Sequence, residues 1–240
     1  MIIPKSIKEI VILTGAGISA ESGIRTFRDQ NGLWENHDIM EVASPGGFER
    51  NPEVVYEFYN LRRKQLLSVE VSPNLGHISL SRLQDLFKGR VSLVTQNVDD
   101  LHERSGFKNI LHMHGELLQM RCVKSGKVFS TKEPFDERTN CPCCLQAGNL
   151  RPNIVWFGER PFHMKEIEDL LSSCDLFISI GTSGEVYPAA MFVNLAKENS
   201  HCVTIEVNKE VTQVSHNFDY LISGKASEEL PKLIDKILNL

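Results

Sequence analysis

Ile10-Val11-Ile12-Leu13-Thr14-Gly15-Ala16-Gly17-Ile18-Ser19-Ala20 is the stretch that decides the fold. Its continuous apolar opening reads as a strand covered on both faces, because a strand with one wet face alternates apolar and polar side chains. The G-x-G-x-x-A sequence that follows can turn tightly into a helix and bring backbone N–H groups and a helix N-terminus toward a pyrophosphate. A purely structural glycine turn has the same letters, and the strand–turn–helix context is what favours the nucleotide reading.

Further short apolar runs lie at residues 91–94, 154–156, 176–180, 203–207 and 220–222. Helical patterns separate them, for instance 77–87, with Ile78, Leu80, Leu83, Leu86 and Phe87, and the tail 229–240. Alternation of buried strands with helices predicts a doubly wound, Rossmann-like α/β fold around a parallel sheet. Two stretches break the alternation. Residues 28–52 are rich in Gly, Pro, Asn and charge, with Trp34 and Phe48 as large apolar anchors, and predict an irregular loop leading into a helix. Residues 121–151 carry four cysteines among turn formers and predict a small inserted module. The expected organisation is one unit over 1–240, with a loop and helical insertion over 28–74 and a small cysteine-bearing insertion over 117–152.

The 240 residues carry a formal net charge of −5 with 41% apolar and 24% charged side chains, enough for one sizeable core. This balance, without a local basic patch, argues against nucleic acid and anionic membranes as partners. No apolar run approaches the ~18 residues of a membrane span, and the start lacks a signal-peptide layout. A soluble cytoplasmic protein is expected, and, with no long tail or linker, a monomer or weak oligomer. Clustering of four of the six cysteines between Cys122 and Cys144 suggests metal ligation rather than disulfides. Cys174 and Cys202 stand alone and read as small buried apolar residues.

An ordinary dinucleotide fold supplies an acidic residue about 20 positions after the glycines, at the end of a second strand. Here a polar loop, 28–36, takes that place, which argues against a standard dehydrogenase. Gly181-Thr182-Ser183 and Asn208 each follow a buried strand, so both reach the edge where α/β sheets bind ligands. Thr95-Gln96-Asn97-Val98-Asp99-Asp100 follows another. Its amides and carboxylate suit ribose hydroxyls or a carboxamide; equally, the run reads as a helix N-cap with acids in the first turn. His112 and His114 are two apart and share a face if extended, which suits general-base work or metal binding, with a structural role as the alternative.

In order, G-A-G-I-S, G-I-R-T-F-R, T-Q-N-V-D, H-M-H-G-E, V-W-F-G-E and G-T-S resemble the sirtuin family of NAD-dependent protein deacylases, from about Ile10 to Ala226. The resemblance implies that Gly15, Ala16, Gly17, Ser19, Thr26, Phe27, Arg28 and Trp34 line an NAD pocket. Gln96 would contact the nicotinamide ribose, Asn97 and Asp99 the nicotinamide end, and Gly181, Thr182, Ser183, Asn208 and Ala226 the adenosine side. Val155, Phe157, Gly158, Glu159 and Val186 would clamp the acyl-lysine segment of a protein substrate as an added strand. It further implies that His114 is the general base, and that NAD is consumed to give nicotinamide, free lysine and O-acyl-ADP-ribose.

Where many sirtuins carry Pro-Asp this chain has Arg25-Thr26. That departure, with Ala43, Tyr59 and Arg62, resembles the class III type of bacteria that removes acidic acyl groups. Tyr59 and Arg62 lie three apart in a helical run, 54–66, and so share a face. A guanidinium beside a phenol suits a free carboxylate, which predicts desuccinylation and demalonylation alongside deacetylation. The other reading of Arg62-Arg63-Lys64 is a solvated basic face with Tyr59 in the core.

Sirtuins commonly hold a structural zinc with two C-x-x-C pairs. Here the first pair is Cys122-Val123-Lys124-Ser125 and the second side is Cys141-Pro142-Cys143-Cys144. Cys122, Cys141 and Cys144 are expected ligands, with Cys143, Ser125 or water as the fourth, and a weak or metal-free site as the alternative. Two rival functions remain: ADP-ribosyl transfer to a protein side chain, and a non-catalytic NAD- or ADP-ribose-binding module.

Overall fold

In the computed structural model the described residues are 2–4, 7–24, 33–34 (backbone only) and 37–240. The strands are β1 Glu9–Thr14, β2 Leu33–Trp34, β3 His37–Asp38, β4 Arg90–Thr95, β5 Ile110–His112, β6 Gly115–Cys122, β7 Val128–Ser130, β8 Leu150–Ile154, β9 Leu176–Ile180, β10 Val203–Asn208 and β11 Tyr220–Ser223. The α-helices are α1 Ala16–Ser19, α2 Ile39–Val42, α3 Pro45–Arg50, α4 Pro52–Leu66, α5 Leu75–Leu86, α6 Leu101–Arg104, α7 Met164–Ser173, α8 Phe192–Glu198 and α9 Ala226–Leu238. No described helix is long and apolar enough to cross a membrane.

Six strands form one parallel sheet in the order β11-β10-β9-β1-β4-β5. The continuous apolar runs have a direct cause. Ile10 and Ile12 of β1 pack with Leu80 and Leu83 of α5 and Leu230, Leu233 and Ile234 of α9 on one face. Val11 and Leu13 pack with Ile167 and Leu171 of α7 and Phe192 and Val193 of α8 on the other. Both faces are dry, so alternation has nothing to select for.

The expected run 154–156 is corrected by the structure. It is the end of β8 and its exit, and β8 pairs antiparallel with β6, in a separate three-stranded sheet β7-β6-β8. β8 reads Leu-Arg-Pro-Asn-Ile and is buried throughout without being an apolar run, so the apolar letters at 154–156 begin only at its last residue and do not mark the strand. The stretch read as an irregular loop contains, among its described residues, a small β2-β3 hairpin and helices α2 and α3, the latter capped by Ser44 Oγ accepting from Gly47 N. β5 was not foreseen: three residues paired to β4 are too few for a periodicity to register.

The helix expected at 54–66 begins at Pro52, where the absent proline N–H costs nothing, with Asn51 as its cap. Arg63 is buried on it, its guanidinium donating to Leu117 O and Asn60 Oδ1 and lying over Phe135. The trio 62–64 is therefore not a solvated basic face. Cys174 and Cys202 are buried as expected, their sulfurs 3.4 Å apart.

Candidate active site

In a parallel sheet all strands end at the same edge, so the segments after β1, β4, β5, β9 and β10 converge there. The chain also reverses its direction of winding between β1 and β9, because β4 and β5 lie on one side of β1 and β9, β10 and β11 on the other. Ligands bind α/β sheets in the crevice such a switch opens.

At that switch two turns meet backbone to backbone. Gly15 N and Gly17 N donate to Ile180 O at 3.0 Å and Gly181 O at 2.9 Å. A Cβ on Gly17 would lie 2.7 Å from Gly181 Cα, and one on Gly181, whose φ is +59°, 2.6 Å from Ile18 N. The glycines here let the two turns approach each other, and the amides of Gly15 and Gly17 are spent on that contact. The close approach that the sequence expects of these glycines is thus made, in this structure, between the two turns. Asn208 Nδ2 closes the far side by donating to Thr182 O at 2.7 Å. Ala226, at the start of α9, is buried in the same core as Ile18.

The segment after β4 forms the floor. Asn97 and Asp99 are buried, and Gln96 is partly so. Asn97 Nδ2 donates to Gly15 O and Ser19 Oγ, and Ser19 Oγ donates to Asp99 Oδ2 at 3.0 Å. Asp99 Oδ1 also accepts from Leu101 N, the first residue of α6, while its other oxygen accepts from Ser19. Burial pushes the Asp99 carboxyl up to about 6. Ser19, Asn97 and Asp99 thus place an amide and a carboxyl beside the glycine turns, a donor and acceptor set that fits the carboxamide and ribose hydroxyls of NAD.

His114 follows β5, and its Nδ1 lies 3.1 Å from Gln96 O. A carbonyl only accepts, so Nδ1 carries the proton and Nε2 the lone pair. Burial, set against that carbonyl, leaves the His114 pKa below the usual imidazole value. His114 O in turn accepts from Val155 N at 2.9 Å, and Phe157 N donates to Ala43 O at 2.9 Å, which ties the segment 155–158 to both sides of the pocket. Phe157 and Gly158 are exposed. The Glu159 carboxylate is occupied within the fold by a two-point contact to Arg151 and by Trp156 N. Val186 and Gln96 line one small recess with Thr182 and Gly184.

Ala43 and Tyr59 belong to one buried cluster with Phe58 and Trp156. The Tyr59 hydroxyl accepts from Trp156 Nε1 at 2.9 Å, and burial pushes the phenol pKa well above its ordinary value. Arg62 is half-buried, its guanidinium carbon 5.0 Å over the Phe58 ring. Thr26, Phe27 and Arg28 lie outside the described residues, as does the Trp34 side chain.

Two histidines escaped sequence reasoning. His77 Nε2 lies 3.5 Å from Ser19 Oγ, and His102 Nε2 lies 3.0 Å from Thr14 Oγ1, the two rings 4.9 Å apart beneath the floor. Burial lowers His77 to about 4. The available signal was position: each lies within the first residues of a helix that packs under a strand end. A wide groove of about 890 Å³ beside Arg90 and residues 160–166 contains none of these groups and is open surface.

The cysteine module ends the inventory. The sulfurs of Cys122, Cys141, Cys143 and Cys144 all lie within 4.8 Å of one another. A tetrahedral thiolate zinc, with Zn–S near 2.3 Å, sets sulfurs about 3.8 Å apart, so the cluster fits a structural zinc. Cys143 thereby stands where the missing fourth cysteine is needed, and Ser125 Oγ is 3.2 Å from its sulfur. Hydrogen bonds from the Ser125 side chain and backbone pull the Cys122 thiol down to about 6, toward the thiolate a metal requires.

A model of the Sir2 family matches residues 15–188. An NAD-dependent protein deacylase of Pasteurella multocida is 55% identical over 230 residues, 95% of this chain and 97% of that one. A Sir2 homologue solved in complex with NAD superposes with a TM-score of 0.87 at 35% identity, over 98% of this chain and 91% of that one. Sir2 bound to acetylated peptide gives 0.81 at 28%, over 96% and 94%.

Proposed function

The chain belongs to the Sir2 family and is an NAD-dependent protein deacylase; on that premise we propose that His114 is its general base and that Ala43, Tyr59 and Arg62 adapt the site to acidic acyl groups on lysine. The observation that carries the first part is the His114 Nδ1 contact to Gln96 O, which leaves Nε2 as the basic nitrogen. Its lowered pKa keeps the imidazole neutral at pH 7, ready to take a proton rather than already holding one.

Bound NAD supplies an electrophilic ribose carbon and nicotinamide as the leaving group. The residues of this chain orient and protect. Gly181–Ser183 with Asn208 and Ala226 hold the adenosine side, while Gly15–Gly17, together with Thr26, Phe27, Arg28 and Trp34 on the family's pattern, line the NAD pocket, Phe27 shielding the reactive sugar carbon. Gln96, Asn97 and Asp99 hold the nicotinamide and its ribose. His114 Nε2 accepts a proton from a ribose hydroxyl, which readies that oxygen to receive the acyl group. Val155, Phe157, Gly158 and Val186 pair with the backbone around the acyl-lysine, whereas Glu159 stiffens that segment through Arg151. The acetylated peptide named for one Sir2 structure supports an acyl-lysine peptide as the kind of substrate.

For the acyl end, the small Ala43 leaves length, the phenol of Tyr59 stays protonated at any working pH, and Arg62 supplies charge. Together they suit the terminal carboxylate of succinyl- or malonyl-lysine. The test is mass spectrometry of acetyl- and succinyl-lysine peptides with and without NAD. NAD-dependent loss of both acyl groups, abolished by His114→Tyr, is expected. Persistence in His114→Tyr would remove the base assignment, and covalent ADP-ribose on a target with no deacylation would favour transfer instead.

A further inference from the structure

His112 has no part in the chemistry just described, yet it is buried and bonded at both ring nitrogens. Nδ1 lies 3.3 Å from Asn97 O, and Nε2 lies 2.6 Å from Glu103 Oε1 on α6. A backbone carbonyl and a carboxylate oxygen are both acceptors. A neutral imidazole has one N–H and satisfies one of them, with its other lone pair set against an acceptor; only the imidazolium donates to both. β5 and the link that follows it thus carry two histidines that hold consecutive carbonyls of the floor, His114 on Gln96 and His112 on Asn97.

We propose that His112, held as an imidazolium between Glu103 and Asn97 O, is a positioning residue that fixes the 96–99 floor for the nicotinamide end of NAD. Asn97 is held at three points: its N by Thr95 Oγ1, its side-chain amide by Gly15 and Ser19, and its carbonyl by His112. The first is to the end of β4 and the second to the neighbouring turn and α1. The third is the one whose strength changes with a proton. The charged and titratable groups around His112 are Glu103 and His102 on α6, Asp99 on the floor and Glu116 on β6. Burial acts to lower the His112 pKa, but the Glu103 hydrogen bond, the charges of Glu103 and Glu116 and the Asn97 carbonyl outweigh it, and the net direction is upward.

The inference rests on the reading that Asn97 serves the nicotinamide end. Its test is nicotinamide exchange into NAD, followed by isotope with an acyl peptide present, beside ADP-ribose affinity, which reads the adenosine side. His112→Gln can set its NH2 against one of the two acceptors but only its carbonyl against the other, and exchange falls by ~10- to 100-fold while ADP-ribose affinity stays at wild type. Glu103→Gln offers Nε2 a donor, so a neutral His112 keeps both bonds; its exchange persists at alkaline pH where the wild type declines. Exchange in His112→Gln at wild-type level overturns the proposal. So does a parallel loss of exchange and ADP-ribose binding, which marks a merely structural role. If His112→Gln fails to fold, Glu103→Gln decides alone: an alkaline limb unchanged from wild type overturns the assignment. Asn97→Ala separates premise from inference, since normal exchange in that variant removes the floor reading itself and the proposal with it.

Discussion

The contact between the turns at Gly17 and Gly181 can be taken apart with three alanine substitutions. Gly181→Ala combines two costs. At φ +59° a side chain incurs the left-handed penalty, ~1–2 kcal/mol. The new Cβ also sits 2.6 Å from Ile18 N and 2.8 Å from Gly17 Cα, so ordinary contact near 3.4 Å requires the turns to part by about 0.8 Å. Gly17→Ala carries the clash without the left-handed penalty, its Cβ 2.7 Å from Gly181 Cα. Gly126→Ala, at φ +70° with open space around it, carries the penalty without the clash. For a chain of this length 1 kcal/mol lowers Tm by ~2–4 °C, so Gly126→Ala loses ~2–8 °C and keeps its NAD kinetics. Gly181→Ala loses at least as much Tm, and its kcat/KM for NAD falls by ~10²-fold because both turns that hold the dinucleotide are displaced. Gly17→Ala falls by a similar factor in kcat/KM with the smaller Tm change. Thermal melts and initial rates at varied NAD suffice. Wild-type NAD kinetics in Gly181→Ala, or an equal loss in Gly126→Ala, would refute the claim that close approach of the turns builds the pocket.

Arg62→Met is expected to lower kcat/KM for succinyl-lysine peptide by at least ~10-fold, the 1.5–3 kcal/mol of a charged hydrogen bond, and to spare acetyl-lysine; equal losses on both peptides would count against carboxylate recognition. For pH, His77 has a folded pKa of about 4 against 6.5 unfolded, so below 6.5 the unfolded chain binds a proton that the folded one refuses. Stability therefore declines as pH falls from 6.5 toward 4, by up to about 3 kcal/mol from this group, and denaturant titrations of His77→Asn should show a shallower decline. Asp99, raised to about 6, acts in the opposite sense, so an unchanged slope in His77→Asn would mean that other groups dominate and the assignment is wrong. Elemental analysis should find about one zinc per chain, and thiol titration after chelation should expose the four clustered cysteines ahead of Cys174 and Cys202. Cys143→Ala should release the metal at lower chelator concentration and Ser125→Ala should not; the reverse order would make Ser125 the ligand.

The parallel sheet was legible because two-sided burial leaves an unmistakable signature, and the glycine turns because a close backbone approach tolerates little else. The residues 154–156 were misassigned because the apolar letters begin only at the last residue of β8, and pairing direction is a property of distant partners. β5 was invisible because three residues in Ile110–His112 carry no period. Gln96, Asn97, Asp99 and His114 stood out as candidates because polar residues cluster after an apolar run, and the structure brings them together through Gly15, Ser19 and the end of β5. What spacing could not express was the division of labour within such clusters. Glu159 looked like a substrate contact and is an internal brace, and Arg63, one position from a proposed acyl reader, is a core residue bonded to Leu117 O. Burial and partner decide those roles, and both come from residues far away in the chain.

β5 passes into β6 with Met113 and His114 alone between them, and Gly115, at φ +84°, makes the corner against the Asn153 carbonyl, where a Cβ would not fit. One end of this continuous ribbon is His114, the proposed base, and the other is Cys122. A boundary at 117 or 152, natural to draw from the sequence, cuts through β6 and β8 rather than between units. The small sheet is thus less an appendage than the far arm of a lever whose fulcrum is Gly115. Trimming it away, or exchanging it for the equivalent of a relative, would shift the register of His114, whereas insertions at the open Gly126 turn would leave the lever alone.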